Sequence, residues 1–242
     1  MIREELVHDG WQRCPYLPER IARLPLYRQI APLTHEEADE RFESAERRMG
    51  RTLYRVACPT CSACRGIRVH THHVQPTRSQ RRVLRRWAKL PWRVEVGAPT
   101  VTAEKLALFH AHKRLRGLNG PDEAPLGPGE YESWLVQSCM DTIEMRYSIE
   151  GRLVGLGIVD LGSTSASSVY FYFDPAPEIA RLSPGVFSVF QEAEFCRRTN
   201  REWLYLGLHV EDCRHLAYKA DFAPHQLRIE GEWRESAPPN LR

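Results

Sequence analysis

The spacing of apolar and polar residues predicts several helices in the first half of the chain. Residues 34–49, THEEADERFESAERRM, begin with Thr34 and carry Glu37 three positions later, which is the pattern of a helix-capping box. Residues 78–90 and 102–117 also place apolar side chains at steps of three and four. We therefore predict three helices before the middle of the chain.

The second half has a different pattern. Residues 142–149, 152–161, 168–173 and 202–208 are rich in β-branched and aromatic residues, which predicts strands, and residues 183–200 predict a long helix. Strands joined by turns, then a helix and a further strand, indicate an α+β (mixed α/β) fold. We expect two units, a small cysteine-containing N-terminal domain over residues 1–90 and a second domain over residues 91–242.

Composition supports a globular protein with a real core, because 42% of the 242 residues are hydrophobic. No run of eighteen apolar residues occurs, and the first residues, MIREELVHDGW, lack the apolar stretch of a signal peptide. We expect a cytoplasmic protein with no membrane contact.

Charge is unevenly distributed along the chain. The net charge is +3, yet no acidic residue lies between Glu46 and Glu95. Such a segregated positive field attracts polyanions, and a solvated helix face normally alternates Glu with Arg. The acid-free segment therefore favours binding of nucleic acid or phosphate. Its basic residues are Arg47, Arg48, Arg51, Arg55, Arg65, Arg68, Arg78, Arg81, Arg82, Arg85, Arg86, Lys89 and Arg93.

Three cysteines, Cys58, Cys61 and Cys64, stand at equal steps in CPTCSAC, and Cys14 is the one other cysteine of the basic half. Pairs of cysteines at this spacing direct both sulfurs at one metal ion, so these four thiols are candidate ligands of zinc or of an iron–sulfur cluster. Spacing alone does not choose between the two, and a structural knuckle without metal is the alternative. The other cysteines are interpreted as small buried residues: Cys139, Cys196 and Cys213.

Polar groups concentrate in residues 205–227, just after a predicted strand, where α/β folds commonly bind ligands. Two aspartates, Asp160 and Asp174, end neighbouring predicted strands. The alternative interpretation is a set of ion pairs at a domain rim. The polar residues of interest in the block are Tyr205, His209, His215, Tyr218, Lys219 and Asp221.

Five segments, taken in order, resemble the bacterial aminoacyl-tRNA–protein transferases, the leucyl/arginyl-tRNA–protein transferase family of the N-degron pathway. The resemblance runs from about Cys14 to Leu227. The segments are CPYLP, YRVACPTCSACRGIRV, PTRSQRRVLRRWAKL, VDLGSTSASSVYFYFDP and YLGLHVEDCRHLAYKADFAP.

The resemblance implies a second domain similar to the N-acetyltransferase (GNAT) fold. It also implies a reaction in which the free α-amine of a protein beginning with Asp or Glu attacks the aminoacyl ester of a charged tRNA, which marks that protein for degradation. Leucine is the expected amino acid rather than arginine. Relatives are reported to hold iron–sulfur or zinc at cysteines that match Cys14 and the Cys58 to Cys64 cluster.

This chemistry needs two substrates held together, a proton acceptor and stabilisation of an oxyanion, but no covalent nucleophile. The candidate catalytic residues are Asp160, Asp174, Tyr218 and Lys219. Arg78, Arg81 and Lys219 are candidates to meet the acidic substrate side chain. The candidate substrate and tRNA-binding residues are Arg47, Arg48, Arg78, Arg81, Arg82, Arg85, Arg86, Tyr205 and His209.

Two other functions compete with this one. An acetyl-CoA-dependent N-acetyltransferase would hold pyrophosphate on a glycine-rich loop that opens a helix, whereas this chain has RLSPGVF with one glycine, so we expect no CoA. A non-catalytic nucleic-acid-binding protein with a metal knuckle would need the basic segment but not the polar block at 205–221.

Overall fold

The computed structural model describes residues 4–117 and 124–236, and strands dominate the described part of the chain. They are β1 Glu4–His8, β2 Trp11–Arg13, β3 Ile21–Arg23, β4 Leu26–Gln29, β5 Arg47–Met49, β6 Thr52–Tyr54, β7 Arg65–His70, β8 Trp92–Gly97, β9 Thr142–Ile149, β10 Arg152–Leu161, β11 Ser165–Phe173, β12 Trp203–His209, β13 His225–Ile229 and β14 Glu232–Ser236.

The α-helices are α1 His35–Glu43, α2 Arg78–Trp87, α3 Ala103–Leu115, α4 Pro128–Tyr131, α5 Pro177–Ala180, α6 Pro184–Arg198 and α7 Arg214–Ala217. A π-helical turn, Glu132–Val136, follows α4, and a 3₁₀ turn, Tyr218–Asp221, follows α7. The predicted mixed α/β class is confirmed. Within residues 4–117 and 124–236, none of the helices combines the length and apolar character needed to span a bilayer.

Eight strands form the main sheet in the order β14-β13-β7-β12-β11-β10-β9-β8. Neighbouring strands run antiparallel except β11 and β12, which are parallel. A parallel pair needs a long crossover, and here α5 and α6 supply it. Only Ser165–Ser167 of β11 pair with Trp203–Tyr205 of β12, so the two strands stop pairing well before their carboxyl ends.

Two apolar clusters cover this sheet. In the first, α6 packs against the strands and α2 packs on α6, where the rings of Trp87 and Phe187 stack 4.1 Å apart. In the second, Phe109 of α3 contacts Tyr131 and Tyr172 edge to face. Aromatic contacts of this kind add to the burial energy. The sheet between the clusters is consequently a rigid support for the residues at its edge.

A second sheet, in the order β1-β4-β6-β5, carries the N-terminal strands, and β2 pairs with β3. Its hairpin β5–β6 extends Arg47 and Arg48 toward β10 and β11 of the main sheet. Gly50 lies in the turn of this hairpin with φ +59°, and a Cβ there would stand 2.3 Å from the Ser133 carbonyl oxygen. Only glycine fits this turn.

The predicted helix over residues 34–49 is shorter in the structure. Its capping box is confirmed, since Thr34 Oγ1 accepts from the Glu37 N–H and Glu37 accepts from the Thr34 N–H. The helix ends at Glu43, and Ala45 takes a positive φ of 58°. Residues 47–49 pair instead with β6, because extended pairing gives these backbone groups cross-strand hydrogen bonds.

The structure also differs from the predicted division near residue 90. Strand β7 lies between β13 and β12 inside the main sheet, and α2 packs on α6. Residues 65–87 therefore belong to the main sheet unit, because β7 hydrogen-bonds on both of its sides to strands from the end of the chain. The order of residues along the chain does not show that β12 and β13 come back to pair with β7.

Candidate active site

A cavity of about 910 Å³ opens where β11 and β12 diverge. Ser168 to Phe171 of β11 line it on one side, and Leu206 and Leu208 of β12 line it on the other. Further lining residues come from the N-terminal strands, the hairpin β5–β6, the end of α3, the start of α6, and α7 with the turn after it. Divergent parallel strands leave unpaired backbone groups, which makes this position suited to binding a ligand.

Arg47 occupies the gap between the diverging strands. Its Nη1 donates to Ser167 Oγ at 2.9 Å, and its Nη2 donates to the carbonyls of Ser168 at 2.8 Å and Val169 at 3.3 Å. On the other strand Gly207 has φ +86°, and a Cβ there would lie 2.8 Å from the Arg47 guanidinium carbon. The predicted substrate-binding residue Arg47 is thus at the centre of the site, and Gly207 makes room for it.

Arg48 and Asp160 form a buried ion pair, with both side chains 1% exposed. Arg48 Nε donates to the two Asp160 oxygens at 2.8 and 2.9 Å, and Thr142 Oγ1 donates to Asp160 at 2.7 Å. Arg48 lines the cavity, while Asp160 is absent from its described lining. The carboxylate predicted as a catalytic group is therefore held in an ion pair with the hairpin.

Lys219 lies on the cavity wall and donates from Nζ to the Leu208 carbonyl at 3.0 Å. Burial lowers the pKa of Lys219 to about 7, repulsion from Arg47 adds to this, and Cys213 acts in the opposite direction. Tyr218 also lines the cavity and is 41% exposed. The structure thus brings together two predicted catalytic residues, Tyr218 and Lys219, beside Arg47.

Three other predicted site residues lie away from the cavity lining. Asp174 pairs with Arg152 and accepts from the Ala176 N–H at 2.9 Å. Tyr205 donates to Glu43 at 2.6 Å within a small apolar cluster. His209 is 9% exposed, and burial lowers its pKa. None of the three belongs to the described lining of the cavity.

The cavity lining is strongly cationic. Its basic side chains are Arg47, Arg48, Lys113, Arg116 and Lys219, and none of the described lining residues is Asp or Glu. His112 also faces the cavity, and burial lowers its pKa to about 4, so it is neutral at pH 7. Sequence analysis missed His112, Lys113 and Arg116; their signal was a run of basic residues closing α3, HKRLR.

The predicted arginines of α2 form an exposed face. Thr77 caps the helix with Gln80 as its capping-box partner, and Val83 and Trp87 turn inward. Trp87 Nε1 donates to the Leu182 carbonyl at 3.0 Å, and Arg86 donates to the Arg181 carbonyl, just before the cavity residue Ser183. The basic face is thus next to the cavity rim. Its members are Arg78, Arg81, Arg82, Arg85 and Arg86, all exposed.

The predicted thiols gather beside the N-terminal sheet. Burial raises the pKa of Cys64 to about 12, and neighbouring Cys14, Cys58 and Cys61 raise it further. Arg20 donates to Cys61 Sγ at 3.0 Å and the Arg23 N–H to Cys58 Sγ at 3.4 Å.

Thiolate donors suit zinc and iron–sulfur clusters. As placed, however, no three His, Cys, Asp or Glu side chains of the described residues are arranged to hold a metal ion. The thiol cluster does not form a ligand shell in this arrangement. Metal binding stays a prediction, and no step of the chemistry is assigned to a metal.

The fold and cavity define a mixed α/β protein whose binding site suits anionic groups. A family model for "Arginine-tRNA-protein transferase, N terminus" matches residues 4–82, and one for its C terminus matches residues 104–229. Aspartate/glutamate leucyltransferases of Aeromonas hydrophila and Marinobacter nauticus are each 32% identical to this chain over 92% of it, covering 91% and 92% of those proteins. The chain belongs to the aminoacyl-tRNA–protein transferase family, and the resemblance of its motifs is confirmed.

Among solved structures, the C-terminal domain of a putative lysylphosphatidylglycerol synthetase from Agrobacterium fabrum matches with a TM-score of 0.49 and 15% identity. It covers 72% of this chain and 58% of that one.

Proposed function

We propose that this protein transfers leucine from leucyl-tRNA to the α-amine of proteins that begin with Asp or Glu. The curated relatives of 32% identity carry the name aspartate/glutamate leucyltransferase and match over nearly their whole length. Transfer of this kind marks a protein for degradation, as the N-degron pathway requires. In this proposal the protein acts in the cytoplasm, where charged tRNA is found.

The observation that carries the proposal is the cationic, acid-free lining of the cavity. Both substrates carry negative charge close to their reacting groups, the tRNA in its terminal phosphates and the acceptor in its first side chain. Arginine and lysine hold carboxylates and phosphates by charge-assisted hydrogen bonds. Arg48 is neutralised by Asp160, and a cavity for a cationic or apolar acceptor would not need the other four basic groups.

The same lining favours leucine over arginine as the transferred amino acid. An arginyl side chain in a desolvated cavity needs a carboxylate partner, and the described lining offers none. Val189, Leu206, Leu208 and Leu216 give the cavity an apolar part in which a leucyl side chain fits.

The aminoacyl ester is already activated, so the main tasks are positioning and charge stabilisation. Arg47, fixed by three hydrogen bonds, and Lys219, fixed on Leu208, stand side by side at the divergence of the strands. Two like charges held close together favour an anion between them. We assign to this pair the oxyanion of the attacked ester or the acidic side chain of the acceptor.

The exposed α2 arginines extend the positive surface beyond the rim, and in this proposal they contact phosphates of the tRNA acceptor stem. Phosphate contacts position a nucleic acid without reading its sequence. This arrangement fits an enzyme that binds the aminoacylated end of its tRNA in the cavity and the phosphate backbone of the acceptor stem outside it.

The test is a transfer assay with purified protein. Leucyl-tRNA and arginyl-tRNA are offered separately with peptides beginning with Asp, Glu or Ala, and the peptides are weighed by mass spectrometry. We expect one leucyl residue on the Asp and Glu peptides and none on the Ala peptide. Transfer of arginine in preference to leucine, or acetylation of the peptide when acetyl-CoA is added, would contradict the proposal.

A further inference from the structure

Glu192 of α6 is a buried carboxyl group without a partner. The residue is 1% exposed, and neither carboxylate oxygen has a hydrogen-bond partner among the described residues. A buried charge without compensation is costly, so such a group persists where it has a use or where it takes up a proton. The sequence contained a signal for this site: Glu192 is an acidic residue on the inward face of α6, which also carries Phe187, Ala193 and Cys196.

Groups from four other elements surround this carboxyl. On β10, a Cβ at Gly157 would lie 3.3 Å from Glu192 Oε1, so the absence of a side chain leaves it space. The titratable groups that face it are Tyr147 of β9, Tyr218 of the turn after α7 and Cys196 one turn further along α6. Burial raises the pKa of Glu192 to about 8, and the Ser168 hydroxyl of β11, close but not in hydrogen-bonding geometry, acts in the opposite direction.

Two of these neighbours connect the buried carboxyl to the cavity. Ser168 and Tyr218 both line the cavity, while Glu192 lies behind that wall. Ser188, one turn before Glu192 on the same face of α6, lines the cavity as well, so this face of the helix leads from the open site to the carboxyl. Hydroxyl groups donate and accept at once, and they can therefore pass a proton.

We propose that Glu192 accepts, through the hydroxyls of Ser168 and Tyr218, the proton that the acceptor α-amine loses during transfer. This inference rests on the proposed function. The amine nitrogen forms a bond to the ester carbonyl carbon and gives its proton through a hydroxyl to the carboxylate. The bond from that carbon to the tRNA ribose oxygen breaks, the oxygen keeps the electron pair, and it takes the proton back from the carboxyl group.

The two aspartates first considered for this task are held in ion pairs, whereas Glu192 has no competing partner in the part of the chain that the structure describes. A base that titrates near the working pH is an efficient proton acceptor. The acceptor amine itself titrates near pH 8 (about 7.7–8.0). Below both pKa values, the wild-type rate is expected to rise about 100-fold per pH unit, a slope of about two in log rate against pH, because both groups must lose a proton.

The experiment is a single-turnover measurement with labelled leucyl-tRNA and a saturating Asp peptide between about pH 6 and 9. Glu192→Gln keeps the shape of the side chain and removes the acceptor. We expect the rate to fall about 100-fold, the apparent affinity for tRNA to stay unchanged, and the slope to fall from about two to about one. Glu192→Asp restores a carboxyl, and with it the steeper slope. Glu194→Gln, on the exposed side of the same helix, is the matched control and follows the wild type.

A Glu192→Gln enzyme with wild-type rate and slope would overturn the inference. If that variant fails to fold, Ser168→Ala tests the relay while the carboxyl group of Glu192 stays in place. A slower single turnover supports the relay, and an unchanged rate contradicts it. Absence of leucine transfer by the wild-type protein would instead contradict the proposed function, so the two failures are separable.

Discussion

Replacing Asp160 by Asn tests whether this residue is an anchor or a catalyst. The change removes the charge that pairs with Arg48 at a site where both side chains are 1% exposed, and Arg48 Nη2 has no hydrogen-bond partner among the described residues. Removing one member of a buried pair costs about 3–5 kcal/mol, because the other charge is left uncompensated. Asn still accepts one hydrogen bond, so we expect about 3 kcal/mol, which for a chain of this size lowers the melting temperature by about 6–12 °C.

The assay is urea unfolding followed by fluorescence, together with leucine transfer at a temperature where the variant stays folded. Asp174→Asn is the control, since its partner Arg152 is exposed and such pairs contribute at most about 1 kcal/mol. We expect Asp160→Asn to be unstable yet to retain transfer. Unchanged stability with abolished transfer would refute the anchoring role and would restore Asp160 as a catalytic group.

Three further predictions follow from the site. Gly207→Ala would place a methyl group 2.8 Å from the Arg47 guanidinium at positive φ, so we expect a loss of about 2 kcal/mol and slower transfer. The pKa of Lys219 is lowered to about 7 in the folded protein, so between about pH 7 and 10 the unfolded chain binds more protons than the folded one. The free energy of unfolding should therefore rise with pH in this range. In urea titrations Lys219→Met should lose this rise. Arg82→Ala with Arg85→Ala should weaken tRNA binding and lower its salt slope by about one per lost phosphate contact in filter-binding measurements.

Matched variants and opposing outcomes test these three predictions. Gly129→Ala adds a methyl group in open space and should change neither stability nor transfer. A Lys219→Met protein whose stability rises with pH as the wild type does would show that the lysine titrates normally. Arg198→Ala removes an exposed arginine on α6 and should leave the tRNA salt slope unchanged; an equal effect would show that only net charge matters.

Local sequence patterns predicted where the helices begin more reliably than where they end. Thr34 caps α1 as expected, because the capping box is a contact within four residues, and the structure adds a second box of this kind at Thr77. The end of α1 at Glu43 was missed, since it depends on the pairing of β5 with β6, and that pairing is decided by neighbours outside the helix.

The sequence by itself determined the family, the mixed fold, the acid-free cationic segment and the gathering of cysteines near one another, because each is a property of residue type and order. Tertiary structure alone decided which of those residues share a cavity. Arg47 reaches the site from a hairpin about 120 residues before the strand it contacts. Asp160 is held in a buried ion pair, and Glu192 lies behind the cavity wall with no hydrogen-bond partner among the described residues. These outcomes depend on which strands diverge and which charges become buried, and neither is set by the residues adjacent in the chain.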